Sequence, residues 1–205
     1  MKPPVPRVTV IVAAAGEARR FGSPKLLAPL HGEPLIRHTL KAVLAVTEDV
    51  IVVLGHHAAG VREAVEGLPV RLATNPDPSR GMGSSIAAGA RALPADANAT
   101  IIVLADQPAL PPSLLPRLIG AWRESGKAIV VPEFRGQQMP PVLFDASVFA
   151  ELREADGERG ARMIVEREPA RVEVVRIDQQ APLDVDSPGD LEDVGRRSKA
   201  GGDWD

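Results

Sequence analysis

Lys25 closes a loop that reads Ala14-Ala15-Gly16-Glu17-Ala18-Arg19-Arg20-Phe21-Gly22-Ser23-Pro24-Lys25. Small residues let backbone N–H groups come close to phosphate oxygens, and neighbouring cations neutralise them. In this loop Arg20 and Lys25 would hold the phosphates, while Ala14, Ala15 and Gly16 offer backbone contacts to a base or a phosphate. The spacing is neither Gly-x-Gly-x-x-Gly nor a P-loop ending in Gly-Lys-Ser/Thr, which disfavours a dinucleotide oxidoreductase and an ordinary NTPase. What remains is a binder and activator of a nucleoside triphosphate. The plain alternative is a surface loop with solvated cations.

Three further segments carry chemistry. Leu104-Ala105-Asp106-Gln107-Pro108 places a carboxylate after an apolar run. Asp106 there is either a Mg²⁺ ligand or a helix N-cap. Asn75-Pro-Asp-Pro-Ser-Arg80-Gly81-Met82-Gly83-Ser84-Ser85 puts glycines and serines at a helix start. Ser85 would hydrogen-bond a pyrimidine edge or ribose, unless Gly83 or Ser84 simply caps the helix. Asp184-Val185-Asp186-Ser187-Pro188 sets two acids two residues apart, on one side of an extended segment, for a metal contact. Asp186 or Ser187 is equally a good N-cap before Pro188. The four histidines have no metal-ligand spacing; His56 and His57 read as a solvated loop or a pocket lining.

The elements that must position these residues alternate between strand and helix, the pattern of a largely parallel α/β sheet. Strands are expected over 7–14, 50–54, 70–73, 100–104, 128–131 and 172–177. Helices are expected over 34–46, 58–65, 83–93, from about 114 to 122, over 146–155, 161–166 and 188–197. Residues 133–141 read as a loop over the site, and 141–144 as a strand outside the strict alternation. The loops after three of the strands should open at one carboxyl edge, where ligands sit in such sheets.

The composition is that of a globular protein: 44% hydrophobic and 25% charged among 205 residues. A formal charge of −3 gives no support to nucleic-acid or membrane-surface binding. The absence of cysteine excludes disulfides and thiolate chemistry. Only 3% of residues are aromatic, so a stacking platform is not expected. No leader or membrane span is apparent, and the expected location is cytoplasmic. One domain over 1–197 is expected, with 198–205 as a disordered tail.

Taken in order, the motifs resemble the MobA-like nucleotidyltransferases, and within them the molybdenum cofactor cytidylyltransferase (MocA-type) branch. That family opens with Leu-Ala-Ala-Gly-x-Ser-x-Arg-Met-Gly-x-x-Lys, matched here at Ala14, Ala15, Gly16, Arg20, Gly22 and Lys25. Further matches are Gly81-Met82-x-x-Ser85-x-x-x-Gly89, Leu104–Pro108, Gly160-Ala161-Arg162 and the Asp184-Val-Asp186-Ser-Pro-x-Asp190-Leu ending. Guanylyltransferase relatives typically carry Ala-Gly-Gly in the first loop.

The resemblance implies a Rossmann-like three-layer fold with a mostly parallel central sheet, CTP as donor and Mg²⁺ as cofactor. It implies attack of the molybdenum cofactor's phosphate on the α-phosphorus of CTP, giving molybdopterin cytosine dinucleotide and pyrophosphate. Lys25 and Arg20 would then stabilise the leaving pyrophosphate. Asp106, with Asp184 or Asp186, would hold the metal. Ser85, Gly81 and the Ala14–Gly16 backbone would bind the nucleotide. A molybdoenzyme or its maturation chaperone is the implied protein partner, with no nucleic acid and no membrane. Four positions depart from the family pattern. Ala18 replaces a serine, Met139-Pro140 stands where Gly-His is usual, and Glu158 replaces an aspartate. Two alternatives share the pocket: a transferase with GTP or another acceptor, and a non-catalytic carrier of the molybdenum cofactor.

Overall fold

The structure is a computed structural model that describes residues 6–18 and 20–199. Arg19, the first five residues and most of the expected tail lie outside the described residues. Along the chain come β1 (Val8–Ala14), the short pair β2 (Pro29–Leu30) and β3 (Glu33–Pro34), and α1 (Leu35–Leu44). Next are β4 (Val50–Leu54), α2 (Ala58–Ala64), β5 (Arg71–Thr74), α3 (Met82–Arg91), β6 (Ala99–Leu104) and α4 (Leu114–Ser125). Then follow β7 (Ile129–Phe134), β8 (Gln137–Gln138), β9 (Val142–Asp145), α5 (Phe149–Arg153), α6 (Arg162–Arg167), β10 (Val172–Ile177) and α7 (Pro188–Lys199).

The main sheet runs β10-β7-β9-β6-β1-β4-β5, with β8 paired to β7. β1 lies parallel to both β4 and β6, β4 is parallel to β5, and β7 is parallel to β10. β9 alone on this path runs antiparallel, inserted between β6 and β7. This is the strand expected outside the βα alternation. Because β9 reverses twice, β6 and β7 point the same way, and the carboxyl ends of β1, β4, β5, β6 and β7 share one edge.

Buried parallel strands need apolar residues on both faces, and the alternation of β1 shows how they are divided. Val10, Val12 and Ala14 join a core layer with Leu35, Ile36 and Leu40 of α1, Leu114 and Leu118 of α4, and Val194 of α7. Ile11 faces the opposite layer, with Ile86 and Ala90 of α3, Leu152 of α5 and Ile164 of α6. Three layers result. On the second face Gly89 permits the closest approach, because a Cβ there would lie 2.6 Å from Ile11 Cγ2. That draws α3 tightly onto β1 and carries its N-terminus to the carboxyl edge.

Two expectations shift. Residues 133–141 are not all loop: β7 runs on to Phe134 and turns through Arg135-Gly136 into β8. Ladder pairing of the two-residue β8 with the end of β7 organises what the Gly and Gln content suggested was irregular. The last helix continues through Lys199, two residues into the segment expected as a tail. Among the described residues no helix is long and apolar enough to cross a membrane.

At the opposite, amino edge, Asp49 ties strand starts together. Its carboxylate takes Arg7 Nε at 2.6 Å, Arg71 Nη2 at 2.7 Å and Thr9 Oγ1 at 2.8 Å. Burial pushes the Asp49 carboxyl up, but the bonds to Arg7, Thr9 and Arg71 outweigh it and hold it below its ordinary 3.8. A depressed folded-state value means stability that is full above the ordinary carboxylate range and lost as pH falls through the lower value. Asp49→Asn is therefore expected to melt lower than the parent at neutral pH, with the gap closing in acid. Thermal unfolding followed from about pH 7 to about pH 3 checks this; a gap that stays constant would contradict it.

Candidate functional site

A short 3₁₀ turn at Lys25–Leu27 sets the first group in place, with Leu26 buried in the core and Leu27 packed against Gly60. Lys25 Nζ donates to Asp106 Oδ2 at 2.6 Å and to Asp186 Oδ1 at 3.0 Å. Arg20 Nη2 reaches the other oxygen of Asp186 at 2.8 Å. The lysine side chain is only 13% exposed and that of Arg20 78% exposed, so the first contact is built and the second is loose. Burial pulls the Lys25 ammonium down, but Asp106 and Asp186 more than reverse this and the net direction is up. Lys25 is a fixed cation at neutral pH.

Asp106 sits just past β6, and its loop is anchored from three sides. The Ala105 N–H donates to the Ala13 carbonyl at 3.2 Å, the buried Thr39 hydroxyl to the Ala105 carbonyl at 2.9 Å, and the Val185 N–H to the Asp106 carbonyl at 3.0 Å. The last bond brings in the chain that leads to α7. Val185 is fully buried, and the aspartates on either side of it are only partly so. Asp184 Oδ1 accepts from the Nε2 of fully buried Gln107 at 2.8 Å. Burial pushes the Asp184 carboxyl above its ordinary value; Asp106 and Asp186 add to this against the Gln107 bond.

The N-cap reading of this segment also holds, on Ser187. Asp190 Oδ2 accepts from the Ser187 N–H at 2.7 Å, and the Ser187 hydroxyl accepts from the Asp190 N–H at 3.3 Å. This is the reciprocal arrangement of a capping box. It leaves the Asp186 side chain to Lys25 and Arg20.

The cleft has two continuous halves that share Ala13, Gly16, Ala18 and Met82 as walls. One half, about 280 Å³, contains Arg20, Lys25, Asp106 and Asp186. The other, about 290 Å³, is bordered by Ala15, His56, Ser79, Gly81, Ser85 and Glu158. A Cβ on Gly16 would meet nothing within 4 Å, so the missing side chain leaves the cleft open there. Ser85 is 5% exposed and accepts from Asn75 Nδ2 at 3.0 Å, which leaves its own proton to donate into the cleft. Neither Gly83 nor Ser84 caps the helix through a side chain: the Ser84 hydroxyl donates back to the Gly81 carbonyl at 2.8 Å and accepts from Asn75 Nδ2 at 2.8 Å.

Most residues named from the sequence therefore meet at this edge. Ala14 borders neither large cavity: strand alternation turns it into the core, and Ala13 faces the cleft instead. Asp106, Asp184 and Asp186 do not form a three-carboxylate cage. The ammonium of Lys25 joins Asp106 to Asp186, Asp184 turns to Gln107, and no metal-holding group of three such side chains converges among the described residues. Sequence reasoning passed over Asn75, Gln107 and Ala13. The first two are polar residues buried beside a motif, a signal visible only once burial is known.

Comparison with known proteins adds context. A model of the MobA-like NTP transferase domain matches residues 10–173. The bifunctional protein GlmU of Kineococcus radiotolerans is 37% identical over 182 residues; the match covers 86% of this chain but 35% of that protein, so the chain spans about a third of its length. The nicotine blue oxidoreductase of Paenarthrobacter nicotinovorans is 30% identical over 194 residues, covering 89% of this chain and 94% of that protein. Among solved structures, Rv0371c from Mycobacterium tuberculosis superposes with a TM-score of 0.81 at 26% identity. The match covers 93% of this chain and 98% of that one. A complex of Rv0371c with manganese has the same fold, with a TM-score of 0.78 at 25% identity.

Proposed function

The chain belongs to the MobA-like NTP transferase family of nucleotidyltransferases, and on that premise we propose that it moves a cytidylyl group from CTP to a phosphorylated acceptor, the molybdenum cofactor. The observation that carries this is the Lys25–Asp106–Asp186 contact at the carboxyl edge, beside a second cavity of nucleoside size. In the reaction an oxygen of the acceptor's phosphate bonds to the α-phosphorus of CTP. The bond from that phosphorus to the bridging oxygen breaks, and pyrophosphate leaves with the electron pair. Such a transfer needs positioning and charge neutralisation more than a protein nucleophile.

The residues present fit a divalent cation. Asp106 Oδ2 is taken by Lys25, but Asp106 Oδ1 is buried without a hydrogen-bond partner, a hard oxygen of the kind Mg²⁺ takes. Asp106 and Asp186 would hold the ion, with Asp184 behind them. When bound, Mg²⁺ neutralises phosphate charge. Lys25, held protonated by its carboxylate neighbours, supplies a fixed positive charge to the departing pyrophosphate, and the exposed Arg20 is free to follow it. The open backbone at Gly16 admits the phosphates, and Ser85 donates to the nucleoside. Cytosolic action and delivery to a molybdoenzyme or its chaperone belong to the same reading.

A second reading keeps the nucleotide half and changes the acceptor or the base. It is favoured by Met139-Pro140 in the departing loop and by similarity to a relative named for a different activity. Pyrophosphate release with Mg²⁺, offering CTP, GTP, ATP and UTP singly with and without molybdenum cofactor, decides between them. Cofactor-dependent release with CTP alone is expected. Release with GTP would correct the donor, and CTP binding without release would correct the acceptor.

A further inference from the structure

The segment after α5 is held against α3 by unusually close contacts. A Cβ on Gly83 would lie 2.3 Å from the Asp156 carbonyl carbon, and one on Gly81 would lie 2.7 Å from that of Gly157. The Gly83 N–H donates to the Gly157 carbonyl at 2.8 Å, and Arg80 Nη2 pairs with Asp156 at 2.6 Å. Gly81 also adopts φ +92, a conformation that side chains resist. Two glycines, a backbone bond and an ion pair thus fix one short stretch of chain. The residue that this stretch presents to the cleft is Glu158.

Its neighbours are engaged elsewhere: Asp156 with Arg80, and Arg159 with Glu166. Among the described residues the Glu158 carboxylate joins no ion pair. It borders the half of the cleft that also holds Ser85, His56 and Ser79, away from Lys25 and Asp106. An ionised carboxylate accepts hydrogen bonds and cannot donate them. Beside a nucleotide it therefore selects donors, and it repels a base edge that turns a carbonyl oxygen toward it. The triphosphate's charge is matched by Lys25 and Arg20 in the other half. The donor must come from the nucleoside.

We propose that Glu158 is a specificity-determining residue that accepts a hydrogen bond from the nucleoside half of the triphosphate, either the exocyclic amino group of the base or a ribose hydroxyl. This rests on the reading of the cleft as a nucleoside triphosphate site, and it assigns a role to a position where the chain departs from its family's aspartate. Glutamate reaches one methylene further than aspartate from the same clamped backbone.

The experiment measures binding of CTP, UTP and 2′-deoxyCTP to the full chain, and kcat/KM for each, in the parent, Glu158→Ala and Glu158→Gln. Glu158 is exposed, so both variants are expected to melt like the parent. Loss of about 10-fold in the CTP-to-UTP preference in Glu158→Ala identifies the base amino group as the donor. A loss of that size in the CTP-to-deoxyCTP preference identifies the ribose. In either case Glu158→Gln, which keeps an acceptor oxygen, should recover part of it. Parent-like ratios in Glu158→Ala, with the parent binding CTP normally, overturn the assignment and leave the nucleotide site standing. A parent that binds none of the three overturns both.

Discussion

Lys25→Met is expected to slow pyrophosphate release by roughly 100- to 1,000-fold, the usual cost of removing one preorganised charge-stabilising donor. Methionine approximates the length of the lysine stem and fills the same mostly buried channel, so what is lost is the ammonium. In the parent that ammonium binds Asp106 Oδ2 and Asp186 Oδ1 at 2.6 and 3.0 Å. It is also the fixed cation of the phosphate half of the cleft. Because the carboxylates raise the lysine above its ordinary 10.5, the parent's charge persists across neutral pH. A pH change cannot mimic the variant there. The fold should also be weakened, since two carboxylates then face each other without a cation between them. Adding Mn²⁺ separates the effects: if Asp106 and Asp186 are the metal's ligands, the ion restores the melting temperature of Lys25→Met without restoring the rate. A rate within about threefold of the parent, a difference under 1 kcal/mol in the barrier, would remove Lys25 from the chemistry.

The second large effect is steric. Gly83→Ala puts a methyl group 2.3 Å from the carbonyl carbon of Asp156 and 2.5 Å from its Cα and N. All three are backbone atoms, so no side chain can swing aside. Alanine in a helix is favoured over glycine by about 1 kcal/mol, but overpacking of this kind costs typically 1–3 kcal/mol and more against rigid backbone. The clash wins. Either the start of α3 or the 156–158 segment must move, carrying Gly81, Ser85 and Glu158 away from one another. A lower melting temperature and a KM for CTP raised about 10-fold, or roughly 1.4 kcal/mol of binding, are expected. Gly120→Ala in α4 is the control, because its Cβ meets nothing within 4 Å; it should stabilise by about 0.5–1 kcal/mol. Gly83→Ala as stable as the parent would mean that the segment does not lie on the helix.

Much of this site could be read in one dimension. β4 begins and ends where its apolar run does, β10 spans the Val172–Ile177 segment expected of it, and the antiparallel β9 announced itself by breaking the alternation. Strand and helix follow from local periodicity, and each ligand loop follows directly from its strand. Lys25, Arg20 and Asp106 stand out in the sequence as charges following buried strands, and Ser85 as a hydroxyl among glycines at a helix start. Gln107 and Asn75 were not, since an amide next to a motif looks the same whether it is solvated or buried. Glu158 was visible only as a substitution, and its place in the cleft depends on glycines more than 70 residues earlier.

The sequence by itself determined the sheet, its carboxyl edge, the family and the cations and carboxylates that gather there. Tertiary structure alone decided which of these touch. Lys25 meets Asp106 and Asp186 across 81 and 161 residues of chain, and Ala13 replaces Ala14 at the cleft through the phase of one strand. The physical reason is that periodicity records which side of an element is buried, whereas contact between distant side chains depends on how the layers pack.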